Sequence, residues 1–348
     1  MGMRYTLPPI FELNSLPFDT VIDVRSPSEF AEDHMPGAIN LPVLSDTERA
    51  TVGTIYVQDS PFKARKIGAA LVARNAAMHL EHNLMSKDGG WKPLVYCWRG
   101  GQRSGSFTTI LRQVGWRAEV VEGGYKAYRK LVKQALYDEV FAPKVVLLDG
   151  NTGSAKTDIL LALAARGVQV IDLEGLANHR GSLFGARAGG QPSQKAFESA
   201  LAQVVAGLDP LRPVVVEAES SKIGRITVPP QLWAAMRGAR RVEIKAPLAA
   251  RARYLATVYS DIVEDSARLG KTLDKLRMYH SGEVIARWKK LADAGEMEAL
   301  ATGLMAEHYD SRYAKARGDG AEVTPLVVTG LEPADIEATA ARIEAMLA

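Results

Sequence analysis

Short apolar runs alternate with longer amphipathic stretches, and the alternation plays out twice along the chain. In the first half, apolar runs predict strands over 20–24, 93–96 and 117–121, with one more after the turn at 36–42. Apolar residues at three- and four-residue spacing between them predict helices over 28–34, 64–84, 104–113 and 125–136. In the helix at 64–84 the expected buried stripe is Ile67, Ala70, Leu71 and Met78, interrupted by Arg74. Phe141-Ala142-Pro143 reads as a junction. A second series follows, with strands over 144–149, 168–173 and 213–217 and helices over 158–166 and 195–207. From 228 onward the pattern is mostly helical, closing with a strand over 324–329 and a helix over 333–347 that carries proline in its first turn. Strands alternating with helices imply an α/β fold with parallel sheets covered on both faces. The expected organisation is two domains, 1–140 and 141–348, the second with a helical extension.

Composition narrows the picture. A length of 348 residues suits two domains. With 47% hydrophobic and 24% charged residues the chain is ordinary for a globular protein. A net charge of +3 makes no global demand for nucleic acid, so any basic surface must be local. No apolar run reaches the roughly 18 residues of a membrane span, and the N-terminus lacks a signal-peptide core. The single cysteine excludes an intramolecular disulfide and a Cys/His zinc cluster, and fits a reducing cytoplasm.

That cysteine, Cys97, follows the apolar run 93–96 and opens the loop Cys97-Trp98-Arg99-Gly100-Gly101-Gln102-Arg103-Ser104. A strand end feeding a helix N-terminus turns successive backbone N–H groups toward an anion, and the helix dipole adds to them. Arg99 and Arg103 contribute two full charges. Such surroundings lower a thiol pKa and make the nucleophilic thiolate available. Asp23 and Arg25, by contrast, read as a structural ion pair at a strand end.

In the second half, the run 144–149 leads into Gly150-Asn151-Thr152-Gly153-Ser154-Ala155-Lys156-Thr157 and then a helix. This is a phosphate-binding P-loop in its proper strand–loop–helix setting. Its amides wrap a phosphate, Lys156 reaches the oxygens, and the Thr157 hydroxyl is a candidate Mg²⁺ ligand. Ala155 stands where the pattern has glycine, and is strained if that position needs a positive φ. Glu217 and Glu219, at the end of an apolar strand, are candidates for a carboxylate that directs metal or water. If the strand runs through both, they share a face; if it ends at Glu217, only one is expected to reach the site. The polar loop after 171 adds Asp172, Glu174, His179 and Arg180 as candidate substrate contacts. Arg237, Arg240, Arg241, Arg251 and Arg253 concentrate positive charge locally and make a plausible RNA surface. Tyr254, Tyr259 and Tyr279 are suited to stack on unpaired bases.

The first half resembles the rhodanese family through Val21-Ile22-Asp23-Val24-Arg25, His34-Met35-Pro36-Gly37-Ala38-Ile39-Asn40, the Cys97 loop, and Val121-Glu122-Gly123-Gly124. In that family the cysteine carries sulfur or selenium. Arg103, however, stands six residues after Cys97 rather than five. This C-x5-R-S spacing is shared with cysteine-dependent phosphatases, so a rhodanese-like phosphatase or a sulfurtransferase with a nucleotide-binding domain is the alternative function. The order of motifs over nearly the whole chain is similar to the bacterial tRNA 2-selenouridine synthase family. The further motifs are Asp172-Leu173-Glu174-Gly175-Leu176-Ala177-Asn178-His179-Arg180-Gly181-Ser182, Gln191-Pro192-Ser193-Gln194 and Val216-Glu217-Ala218-Glu219-Ser220. Ala155 and the Glu-Ala-Glu sequence, where that family tends to have Glu-Asp-Glu, are its two departures. The resemblance implies a rhodanese-like domain fused to a P-loop NTPase-like domain. It also implies an enzyme, a transferase that converts wobble 2-thiouridine of tRNA to 2-selenouridine through S-geranyl-2-thiouridine. Geranyl diphosphate and selenophosphate are the implied co-substrates, tRNA and a selenophosphate supplier the implied partners, and the cytoplasm the implied location. Cys97 is then catalytic, and Arg99, Gly100, Gly101, Gln102 and Arg103 hold selenophosphate. Anion-binding physics, apart from the resemblance, gives residues 150–157 to the diphosphate, and the local concentration of cations gives the region after 228 to tRNA.

Overall fold

The computed structural model describes residues 4–181, 184–258, 266–311 and 322–347; Ser182 and Tyr259 lie outside them. The chain divides into two compact units. One comprises residues 1–140 together with 192–207, and the other 141–191 together with 208–348. The segment 192–207, which sequence order alone would give to the second half, therefore belongs with the first.

The first unit is built on five strands: β1 (Arg4–Tyr5), β2 (Thr20–Asp23), β3 (Ile39–Asn40), β4 (Pro93–Tyr96) and β5 (Glu119–Val121). They lie in the order β1-β5-β4-β2-β3, and every pairing is parallel. β4 is central and all four of its residues are buried, as an apolar strand covered on both faces must be. Its Val95 belongs to the core of this unit together with Ile22, Phe107 and Leu111. Helices at Pro61–His79 and Gln102–Val114 pack over the sheet. The buried stripe of the first of these is Ala64, Val72 and Ala76, while Ala70 and Met78 face solvent. Ile67 and Leu71 of the expected stripe are half-buried, Leu71 against the core of this unit, so the buried face is only partly rotated from the one expected. A helix at Asp46–Gln58 precedes it, capped by Ser45 and Glu48.

Helix Gln194–Ala206 is fastened to this unit by a buried polar network. Tyr125 and Ser199 both donate hydroxyl hydrogen bonds to Asp33, at 2.7 and 2.9 Å. Arg129 pairs with Glu198 and donates to the Lys195 carbonyl. Burial pushes the Asp33 carboxyl up, against the opposing pull of the Tyr125 and Ser199 hydroxyls and the Arg129 charge. Arg25 and Asp23 form the expected ion pair, fully buried at 2.6 Å, with the guanidinium over the Tyr125 ring.

The second unit holds β6 (Val145–Gly150), β7 (Gln169–Ile171), β8 (Val214–Glu217), a small antiparallel pair β9 (Lys222–Ile223) and β10 (Ile226–Thr227), then β11 (Arg240–Lys245) and β12 (Val323–Val327). Its main sheet runs β12-β11-β6-β8-β7, again all parallel. β11 corrects the helical expectation for the region after 228. Val242 and Ile244 are buried on the alternation of a strand, and the charged residues between them had hidden it. A separate helical cluster centres on Leu273, Leu276, Ile285 and Trp288. Among the described residues no helix is long and apolar enough to cross a membrane.

Candidate functional sites

Cys97 lies immediately after β4, and its loop locks onto the turn after β5. Gly100 has φ +65°, and a Cβ there would meet the Val121 carbonyl at 2.5 Å. A Cβ on Gly124 would meet the Cys97 carbonyl at 2.3 Å. The two glycine motifs seen separately in the sequence are therefore two halves of one contact, in which only hydrogen fits. The amides of Tyr125 and Lys126 close it by donating to the carbonyls of Cys97 and Trp98, at 2.8 and 3.1 Å.

The thiol is only 4% exposed and packs with Ile22 and Val24. Burial pushes its pKa up, but the donors around it outweigh that. The Ser104 hydroxyl donates to Sγ at 3.2 Å, the amides of Ser104 and Arg99 point at it, and Arg103 adds positive charge. The net result holds the thiol below its ordinary value. The sulfur is thus deeper than an open cradle would place it, yet favoured as thiolate. Arg103 is not aimed freely at an anion: it pairs with Glu29 at 2.8 Å, and Arg49 shares the same carboxylate at 2.9 Å. Arg99 is exposed and makes no ion pair among the described residues. Gly101 caps helix Gln102–Val114, so the amides of Gln102 and Arg103 belong to its free first turn.

The P-loop connects β6 to helix Lys156–Ala165. Ala155 adopts φ 56° and ψ 29°, the left-handed conformation that glycine takes without cost. Its methyl is buried among Ile159, Leu160 and Val146. Lys156 Nζ donates to the Gly150 carbonyl at 2.8 Å, across the mouth of its own loop. Thr157 donates to Glu217 at 2.9 Å and stands 3.5 Å from Glu174. The cavity here, about 280 Å³, is lined by Lys156, Glu174, Arg180, Arg187, Glu219 and Tyr254 among others.

β8 ends at Glu217, yet Glu219 still reaches the cavity, because the chain turns there instead of continuing. The structure therefore gathers three carboxylates where the strand argument allowed one or two. Burial, then the neighbouring negative charges, pushes Glu174 and Glu217 up to about 8, and Glu219 is also raised. Protons are shared among these groups near neutral pH. Mg²⁺ fits such hard oxygen donors when bound chiefly by substrate phosphates with one or two protein oxygens. Thr157 and Glu217 are the pair placed to do this. Among the described residues no His, Cys, Asp or Glu group forms a metal cage.

Other expected contacts are placed elsewhere. Asp172 caps the turn of helix Leu173–Leu176 by accepting from the Gly175 amide at 2.7 Å. His179 Nδ1 accepts the Gly181 amide at 3.1 Å, and burial and then Arg187 hold its pKa down. It acts as a neutral brace for the loop. In the basic cluster, Arg251 is 5% exposed, binding Asp310 with two hydrogen bonds and the Thr152 carbonyl with a third. Arg241 pairs with Asp149 at 3.1 Å, and Arg240 donates to the Met346 carbonyl. Only Arg237 and Arg253 of the five are exposed. The other three hold the domain together instead of presenting charge. Tyr254 lines the P-loop cavity and donates to Asp158 at 2.9 Å. Arg187 was missed by sequence reasoning; its spacing seven residues after Arg180 was the available signal, since both flank one polar loop.

Residues 12–131 match the family model of the rhodanese-like domain, and residues 143–273 match that of the tRNA 2-selenouridine synthase AAA domain. The tRNA 2-selenouridine synthase of Pseudomonas syringae pv. syringae is 33% identical over 341 residues, covering 88% of this chain and 89% of the relative. That of Psychromonas ingrahamii is 34% identical, covering 72% and 67%. That of Bdellovibrio bacteriovorus is 36% identical, covering 73% and 67%.

Proposed function

The chain belongs to the tRNA 2-selenouridine synthase family, and from that premise we propose a two-step exchange of sulfur for selenium on wobble 2-thiouridine, run at two separate anion sites. As a member of this family it is a tRNA-modifying transferase whose product is 2-selenouridine. In the first step the thiocarbonyl sulfur attacks C1 of geranyl diphosphate. A C–S bond forms, the C–O bond breaks, and pyrophosphate leaves with the electron pair. The amides of 150–157 and Lys156 stabilise that charge as it develops. Thr157 and Glu217 would hold Mg²⁺, which would supply further Lewis-acid neutralisation of the pyrophosphate. In the second step the selenium of selenophosphate forms a bond to C2, the C2–S bond breaks and the geranyl thiolate departs, taking a proton, while water cleaves the Se–P bond and carries the phosphoryl group away as phosphate. An alkylated sulfur leaves as a thiol, whereas a bare thiocarbonyl leaves poorly.

Cys97 is the residue that assists this displacement, as a thiolate nucleophile at C2 that the incoming selenium then replaces. The free first turn of helix Gln102–Val114, the loop glycines and Arg99 receive the donor's phosphate oxygens. Selenophosphate then comes from a separate supplying enzyme, and a tRNA substrate implies work in the cytoplasm. The observation that carries the reading is the buried thiol whose hydrogen-bond donors outweigh its burial. The test is incubation with 2-thiouridine tRNA, geranyl diphosphate and selenophosphate, read by nucleoside mass spectrometry. The expected product series is S-geranyl-2-thiouridine followed by 2-selenouridine. Selenouridine formed at full rate without geranyl diphosphate would contradict the two-step scheme.

A further inference from the structure

The helical hairpin formed by Asp46–Gln58 and Pro61–His79 leaves a cleft of about 540 Å³ against the start of helix Gln102–Val114. Arg49, Tyr56 and Arg65 form one side of it, and Gln102, Arg103 and Ser106 the other. We propose that this cleft holds the unpaired anticodon nucleotides of the tRNA and presents the wobble base to Cys97. The proposal rests on the tRNA-modifying reading above and adds to it the place where the RNA strand lies.

Charge, shape and position each support it. Three guanidinium groups line the cleft and no carboxylate does; Glu29, behind Arg49 and Arg103, balances one of the three. Two positive charges remain for a polyanion. Among the described residues Arg65 itself reaches only the Pro61 carbonyl, at 3.3 Å. The volume is in the range that takes a nucleotide-sized ligand, well beyond a lone phosphate. Tyr56, in the cleft, is 55% exposed; Phe62, next to the lining residues in sequence but not itself lining the cleft, is 66% exposed, with Lys66 Nζ 5.3 Å from its ring centroid. Exposed rings interleaved with cations are the usual equipment for gripping single-stranded nucleic acid, by stacking on bases while neutralising the backbone. The cleft wall and the thiol also share a helical turn: Arg103 faces the cleft, and the next residue, Ser104, hydrogen-bonds Sγ. Because Arg240, Arg241 and Arg251 are engaged within their own unit, this hairpin offers what the basic cluster after 228 does not.

The test is the affinity of the full chain for a labelled anticodon stem-loop RNA carrying 2-thiouridine, measured by fluorescence anisotropy over a range of salt. Tyr56→Ala and Phe62→Ala are each expected to weaken binding about fivefold to tenfold. Arg65→Glu is expected to weaken it at least tenfold and to lower the salt slope by about one, while Arg65→Lys keeps most of both. The tRNA KM should rise in step with the lost affinity. All three positions are at the surface, and unchanged thermal unfolding midpoints will show that the fold persists. Parent-like RNA affinity in Tyr56→Ala and Arg65→Glu overturns the proposal. Reduced selenium incorporation with intact RNA affinity also overturns it, by assigning the cleft to the donor. A parent protein that modifies 2-thiouridine tRNA while the variants bind normally faults the cleft alone; a parent that neither binds nor modifies the RNA faults the functional reading and the cleft with it.

Discussion

The Cys97 loop and the P-loop are the same backbone device used twice. Each follows the middle strand of a five-stranded parallel sheet, turns on glycines and feeds a helix N-terminus. Their proton chemistry is opposite. Around Cys97, hydroxyl and amide donors with Arg103 overcome burial and favour the charged sulfur. Beside Lys156, burial and mutual repulsion win, and carboxyl groups retain protons to about pH 8. A strand–loop–helix turn therefore supplies an anion seat, and the side chains behind it decide whether the neighbouring acid is ionised. The first suits a nucleophile. The second suits a site that awaits a cation and a diphosphate, whose arrival would give the carboxylates a reason to ionise.

The sharpest way to separate the two is to disable one at a time. Cys97→Ala is expected to lower selenium incorporation at least a thousandfold while S-geranyl-2-thiouridine still accumulates, as read by nucleoside mass spectrometry. Loss of both products together would mean that the sites are not independent. Next in size, Lys156→Ala is expected to reduce geranylation on the order of a hundredfold, in the range reported when a transition-state donor is removed. It should also abolish the rise in thermal midpoint that Mg²⁺ with pyrophosphate gives the parent. Normal geranylation in this variant would move the diphosphate off the P-loop.

The third test concerns protons. Glu217 has a folded pKa raised from 4.5 to about 8, so between those values the folded state holds more protons than the unfolded one. Stability must then fall as pH rises through that window, by about 1.4 kcal/mol per pH unit for each proton released. Glu217→Gln should flatten the fall in denaturant melts taken from pH 5 to 8. An unchanged slope would show that the carboxyl cluster is ionised throughout. The smallest effect is expected at Ala155. In Ala155→Gly, relief of the left-handed backbone, about 1 kcal/mol, opposes the loss of a buried methyl, about 0.8 kcal/mol. Stability should change by less than about 1 kcal/mol. Ala155→Val, β-branched at a positive φ, should cost at least about 2 kcal/mol.

Much of this contrast was legible in the sequence, for identifiable reasons. β4 is an apolar run and β6 opens with one, Val145–Leu148, and the loops after them have distinctive glycines, so both sites stand out in the chain. The helix at Asp46–Gln58 was not legible from periodicity, because none of its residues is buried; only the Ser45–Glu48 capping box marks it. β11 was hidden because four of its six residues are charged. The same charges suggested an RNA surface, but Arg241 and Arg251 find partners distant in sequence, Asp149 and Asp310, which no local pattern reveals. The convergence of Glu174 on Glu217 and Glu219 is likewise a product of strand order, with β7 lying beside β8. The close packing of Gly100 against Gly124 across two loops is long-range in the same sense: each motif is visible alone, and their contact is visible only in the fold.

The most direct measurement is a pH titration of thiolate ultraviolet absorbance in the intact protein, with Cys97→Ser as the blank. The chain has a single cysteine, so the signal has one source. A midpoint below the ordinary thiol value of about 8.5, moving upward in Ser104→Ala, is the predicted result. A midpoint at or above that value in the parent, unmoved by Ser104→Ala, would show that burial prevails at the sulfur and would contradict the assignment of Cys97 as the nucleophile.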